Sequence, residues 1–143
     1  MAIPKLFVAT KAIIRFKDKI LLLRESDKYS VGTNNGKYDV VGGRLKPGQR
    51  YDLSLLREIK EETGLEVEIG KPFFIDEWRP IVKGEQWQIV GIFFECIAKS
   101  DKVKLSKDHD QFVWIKPEDY KKFSLLKNYD KLFEAYLKLK NLS

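Results

Sequence analysis

Three carboxylates, Glu58, Glu61 and Glu62, fall within one turn of the segment Arg57-Glu58-Ile59-Lys60-Glu61-Glu62-Thr63-Gly64. The segment reads as the end of a helix, because a glycine such as Gly64 takes the left-handed conformation that stops one. Spacings of three and four put the three acids on neighbouring positions of one helical face. Like charges so placed repel by about 0.3 kcal/mol per pair on an exposed helix. Two arrangements relieve that repulsion. One is a solvated charged face eased by Arg57 and Lys60. The other is a hard divalent cation, since Mg²⁺ takes several oxygen ligands and clustered carboxylates supply them.

What stands before the helix separates the two. The Gly42-Gly43 pair and the Pro47-Gly48 turn make the chain loop, enter the helix and stop at a fixed distance. Gly43, Arg57, Glu58, Ile59, Glu61, Glu62, Gly64 and Leu65 resemble the Nudix box at its required spacing: Gly, five residues, Glu, seven residues, then Arg-Glu-aliphatic-x-Glu-Glu-x-Gly-aliphatic. Gln49 departs from it, standing where the family has Glu, and Val41 stands where proline usually precedes the two glycines.

The resemblance implies a Nudix pyrophosphohydrolase, dependent on Mg²⁺ or Mn²⁺, that cleaves a diphosphate linkage in a nucleoside diphosphate derivative. The substrate so implied is ADP-ribose-like or a nucleoside triphosphate. Attack on such a linkage needs its negative oxygens neutralised and water activated, and a metal does both. Carried onto matching positions, Glu58, Glu61 and Glu62 are the metal ligands, with the carbonyl of Gly42 completing the site. Arg57 holds a carboxylate in place, its neighbour at i+4 being Glu61. Gln49 can accept a hydrogen bond from Arg57 but brings no charge, which leaves the number of metals open. The alternative is a catalytically weak Nudix-fold module that binds or senses a nucleotide.

Family members often recruit a general base from a loop after the central strands. Here Asp108 is favoured over Asp110, Glu85 and Glu95, with His109, the only histidine, beside it. Trp78, Trp87 and Tyr38, together with Tyr29, are candidates to stack a nucleobase. Pro80 lies fifteen residues past Leu65, a recurrent mark of relatives acting on ADP-ribose, although a proline in a turn is ordinary. Glu95 sits in an apolar strand and needs a partner or a metal there.

The elements that must position these groups follow from periodicity. Residues 6 to 16 alternate as a strand, with Leu6, Val8, Ala12, Ile14 and Phe16 on one side, and 19 to 24 form a second strand paired with it as a hairpin. Residues 25 to 37 are a loop. Tyr38 to Val41 is a short strand leading into a Gly42-Gly43 turn. Strands follow at 66 to 78, 86 to 98 and 111 to 115, the middle one apolar on both sides and so central. Pro117 opens a helical turn, and Tyr129, Leu132, Phe133, Tyr136 and Leu137 mark an amphipathic terminal helix. Strands before and after a central helix indicate the α/β class, and the resemblance implies the Nudix α/β/α sandwich, a mixed sheet between helices.

At 143 residues the chain is read as one Nudix hydrolase domain over 1 to 143. No apolar run reaches the length of a membrane span, and Lys5 and Lys11 interrupt any signal-like core, so a cytoplasmic enzyme without a membrane partner is expected. A net charge of +6 suits an anionic partner, but the lysines are scattered from Lys5 to Lys140, which favours a small nucleotide over nucleic acid. Cys96, the only cysteine, reads as a buried thiol. Many relatives pair, so a homodimer is carried as an expectation of the resemblance.

Overall fold

The computed structural model describes residues 3–26 and 36–141. Tyr29 and most of the expected loop at 25 to 37 lie outside the described residues. Eight strands and two α-helices are present among them: β1 (Lys5–Phe16), β2 (Lys19–Glu25), β3 (Tyr38–Asp39), β4 (Val41–Arg44), α1 (Tyr51–Thr63), β5 (Val67–Trp78), β6 (Ile81–Val82), β7 (Glu85–Ala98), β8 (His109–Ile115) and α2 (Asp130–Asn141). A 3₁₀ turn, Pro117–Lys122, connects β8 towards α2.

The sheet is mixed, in the order β3-β2-β1-β7-β5, with β4 also on β1, β6 on β7 and β8 on β2. β7 is central, as its two apolar faces demand: it runs parallel to β1 from Trp87 to Ile97 and antiparallel to β5. Phe94, Cys96 and Ala98 join Leu55, Ile59 and Leu65 in a core under α1. Phe93 turns to the other face and meets Leu132, Phe133 and Tyr136 of α2. Each such side chain withdrawn from water contributes roughly 2 kcal/mol, so both helices are clamped to the sheet and the layers are α/β/α. No described helix is long and apolar enough to cross a membrane.

Two local expectations are corrected. The one-sided alternation read for β1 does not hold: Leu6 and Val8 are exposed, and Ala9 through Ile14 are buried on both faces, because Ala12 and Ile14 join the core under α1 and Ile13 the core under α2. Gly42 and Gly43 are not a turn but part of β4, paired with Lys11 and Thr10. Gly42 has φ +140, and a Cβ there would collide with the Thr10 carbonyl oxygen. Gly42 thus lets the strand run close beside β1 in a conformation other residues avoid.

Candidate active site

The helix that carries the acids is fixed at both ends. Gln49 Oε1 accepts from Ser54 Oγ at 3.1 Å and from Lys46 N at 3.2 Å, tying the preceding loop to the first turn. Gly64, with φ 72, closes the other end by donating its N–H to Lys60 O. The expected contact between Gln49 and Arg57 is not made. Arg57 Nη1 instead lies 3.1 Å from both oxygens of Glu61, an exposed i,i+4 pair.

Glu58 and Glu62 turn inward. The Glu58 carboxylate lies over Gly43, where an added Cβ would fall 2.5 Å from its Oε2. Burial, assisted by Glu62 and Glu61 and opposed by Arg57, raises its pKa above the ordinary carboxylate value. Glu62 Oε2 accepts from Ser106 Oγ at 2.8 Å and lies 2.8 Å from His109 Nδ1. The buried Nδ1 thus has a close charged neighbour without a regular hydrogen bond. His109, then burial in opposition, then Ser106 leave the Glu62 pKa lowered. For His109, burial works to lower the pKa, and the carboxylates of Glu62, Glu25 and Asp108 outweigh it, so the net shift is upward.

Glu62 and His109 open on a cavity of about 290 Å³ lined also by Glu25, Asp39, Val40, Val41, Gly42 and Asp108. A larger hollow of about 620 Å³ lies between the start of β1 and the loop from Arg44 to Gln49. It holds none of the acids, so the smaller cavity is the candidate site. Asp108 reaches it, whereas the other base candidates are occupied elsewhere. Asp110 pairs with Arg24 at 2.8 Å, and Glu85 with Lys5 at 2.8 Å. Glu95 takes Arg15, Tyr136 and Lys140, so its need in an apolar strand is met by partners.

The three aromatic candidates do not converge on the cavity. Trp87 packs on Phe7 with Arg44 stacked 4.5 Å from its ring. Trp78 lies beneath Lys127 Nζ at 4.3 Å, its far edge filling the space over Gly91. Tyr38 sets its ring edge-on to Phe123 and its hydroxyl 3.3 Å from Gln111.

Glu25, Ser106 and the role of His109 escape a reading of the sequence. Glu25 ends β2 opposite His109 in the β2–β8 register, and burial raises its pKa. The one available signal is a charged residue terminating the apolar run ILLLR. Lys11 and Asp39 form a buried ion pair at 3.0 Å behind the cavity. A lysine within an otherwise apolar strand is the trace it leaves.

The donor set suits a hard divalent cation: carboxylate oxygens of Glu58, Glu61 and Glu62 and the Gly42 carbonyl, with no soft ligand among them. Among the described residues, no three acidic, His or Cys side chains converge in this conformation. Arg57 pairs with Glu61 on the exposed side of the helix and holds it away from Glu58. An exposed pair such as Arg57–Glu61 contributes only about 0.5 kcal/mol. Turning Glu61 towards Glu58 is therefore inexpensive, and the residues fit the cation.

Comparison with known proteins gives the family and the fold. The NUDIX domain family model matches residues 5–136. The nucleoside triphosphatase NudI of Escherichia coli K12 is 31% identical over 101 residues, 66% of this chain and 72% of that protein. The MutT protein of Methanosarcina mazei Go1 superposes with a TM-score of 0.79 at 26% identity over 100% of both chains. An ADP-ribose pyrophosphatase from Streptococcus suis shares the fold, with a TM-score of 0.70 at 21% identity over 94% of this chain and 91% of that one.

Proposed function

Because the chain belongs to the NUDIX domain family and is a hydrolase of it, we propose that it cleaves a diphosphate linkage in a nucleoside triphosphate with Mg²⁺ or Mn²⁺. The observation that carries this reading is the placement of Glu58 over Gly43 and Glu62 at the cavity wall, on one face of a helix fixed at both ends. The choice of a triphosphate rests on the relative named a nucleoside triphosphatase. Residues 1–143 are taken as one domain.

Glu58, Glu61, Glu62 and the Gly42 carbonyl would hold the cation. When bound, it screens the phosphate oxygens and makes water more acidic. The remaining work falls to the chain. Arg57 holds Glu61 until the site assembles. Asp108, at the rim of the cavity, accepts the proton of the attacking water. Glu25, beside it, is a further carboxylate lining the same space, its pKa raised by burial. The glycine strand keeps the approach to Glu58 open by leaving no side chain there.

Incubating the purified chain with Mg²⁺ or Mn²⁺ and nucleoside triphosphates, ADP-ribose, dinucleoside polyphosphates and sugar nucleotides tests this reading. Release of a nucleoside monophosphate or diphosphate from a triphosphate, abolished by chelation, is expected. Turnover of ADP-ribose alone would reassign the substrate. Micromolar binding without turnover of any compound would move the protein to a nucleotide sensor.

A further inference from the structure

Glu62 is engaged by a single segment, residues 104 to 109, and both of its contacts fall on one oxygen. Ser106 Oγ donates to Oε2 at 2.8 Å, and His109 Nδ1 lies 2.8 Å from the same atom. Among the described residues no donor reaches Oε1. The serine proton is directed: Ser106 Oγ accepts from Asp108 N at 3.3 Å, which leaves its own O–H for Glu62.

The segment itself is anchored at both ends. Lys104 N donates to Thr63 O at 2.8 Å and Ser106 N to Glu62 O at 3.3 Å, binding it to the end of α1. A Cβ on Gly64 would come within 3.3 Å of Lys104 Cβ, so the glycine that ends the helix also makes room for this docking. At the far end Ser26 N donates to Asp108 O at 3.0 Å. The hydroxyl and the imidazole that meet Glu62 are thus built into a backbone frame joining α1 to β2. A glutamate side chain left free samples several rotamers; this one is confined.

We propose that Ser106 and His109 are positioning residues that lock Glu62 by its Oε2 and leave Oε1 as the oxygen presented to the cation. The inference rests on the functional reading above. Groups that orient a metal-binding carboxylate from behind commonly alter metal affinity tenfold or more when removed.

The experiment measures Mn²⁺ binding to the nucleotide-free full chain by calorimetry, alongside kcat and KM, for the unmodified protein, S106A, H109A and S106T. S106A and H109A are expected to weaken Mn²⁺ binding about tenfold and to lower kcat, with the nucleotide KM within about twofold. S106T keeps the hydroxyl and recovers most of the loss, which a packing role for Ser106 would not predict. In the metal-free protein, the His109 imidazole nitrogen resonances are expected to shift in E62Q. Undiminished Mn²⁺ affinity in S106A and H109A, with binding intact in the unmodified protein, overturns the inference alone. S106T behaving as S106A, or unmoved His109 resonances in E62Q, also overturns it. Failure of the unmodified protein to bind Mn²⁺ overturns the functional reading and this inference with it.

Discussion

The carboxylate of Glu58 occupies the space where residue 43 would carry a side chain: a Cβ on Gly43 would lie 2.5 Å from Glu58 Oε2. Its neighbour Gly42 is constrained differently, by φ +140 and by the backbone oxygen of Thr10. Two adjacent glycines therefore serve two purposes, and alanine separates them. G43A meets only the end of a flexible side chain, so it should displace Glu58, lower turnover at least about tenfold and leave the melting temperature nearly unchanged. G42A meets backbone and should destabilise the fold by about 3 kcal/mol. Thermal melts paired with initial rates distinguish them; a G43A variant with full activity would show that the position of Glu58 over the strand is immaterial.

Glu62→Gln keeps the shape of the side chain and removes its charge. Turnover should fall about a hundredfold or more, since the cation it helps to hold supplies several kcal/mol of charge stabilisation. Circular dichroism should be unaltered, because Glu62 is only partly buried and its amide replacement still accepts from Ser106. Rates like those of the unmodified protein would remove Glu62 from the site.

Much of this arrangement was legible in the sequence because it is local. The helix stop at Gly64, the common face of Glu58, Glu61 and Glu62, and the double-sided burial of β7 all follow from spacing within a single element. What was not legible depends on pairing between distant strands. The place of β1 beside β7 in mid-sheet, with a core on each face, converts an alternating strand into a buried one, and the β2–β8 ladder brings His109 opposite Glu25. Nothing within β1 signals the first, and the second leaves only the charged residue that ends the apolar run ILLLR. Gln49 shows the same limit at short range: which donor it meets, Ser54 rather than Arg57, is set by the loop path and not by the motif.

Glu95 tests stability against pH. Burial alone would raise its pKa, but Lys140 at 2.7 Å, Tyr136 at 2.5 Å and Arg15 at 3.2 Å outweigh burial and lower it below the ordinary value of 4.5. A carboxylate whose folded pKa is depressed contributes stability that is present above its unfolded pKa and lost as pH falls through the folded one. The unmodified protein should therefore exceed E95Q by about 1–3 kcal/mol at pH 7, and the gap should narrow as pH drops below 4.5. Denaturant titrations of both proteins at several pH values measure it. A gap independent of pH would mean that packing, not charge, holds this corner.

Lys11 and Asp39 form the buried pair behind the cavity, with side chains only 7% and 12% exposed. Asp39 also accepts from Val40 N at 2.8 Å and from the Tyr129 hydroxyl in a short contact. Burial, with Asp39 adding to it, drives the Tyr129 pKa upward, so the phenol remains protonated and a donor. Removing one charge strands the other: K11M should cost about 3–5 kcal/mol. Removing both leaves no buried charge, and the amide introduced at position 39 can still accept from Val40 N and the Tyr129 hydroxyl, so K11M/D39N should recover at least half of that loss. Urea denaturation of the two single variants and the double variant closes the cycle. If the double variant is no more stable than K11M, the cost arises from lost packing of the lysine stem, and the pair is not the determinant of this wall of the cavity.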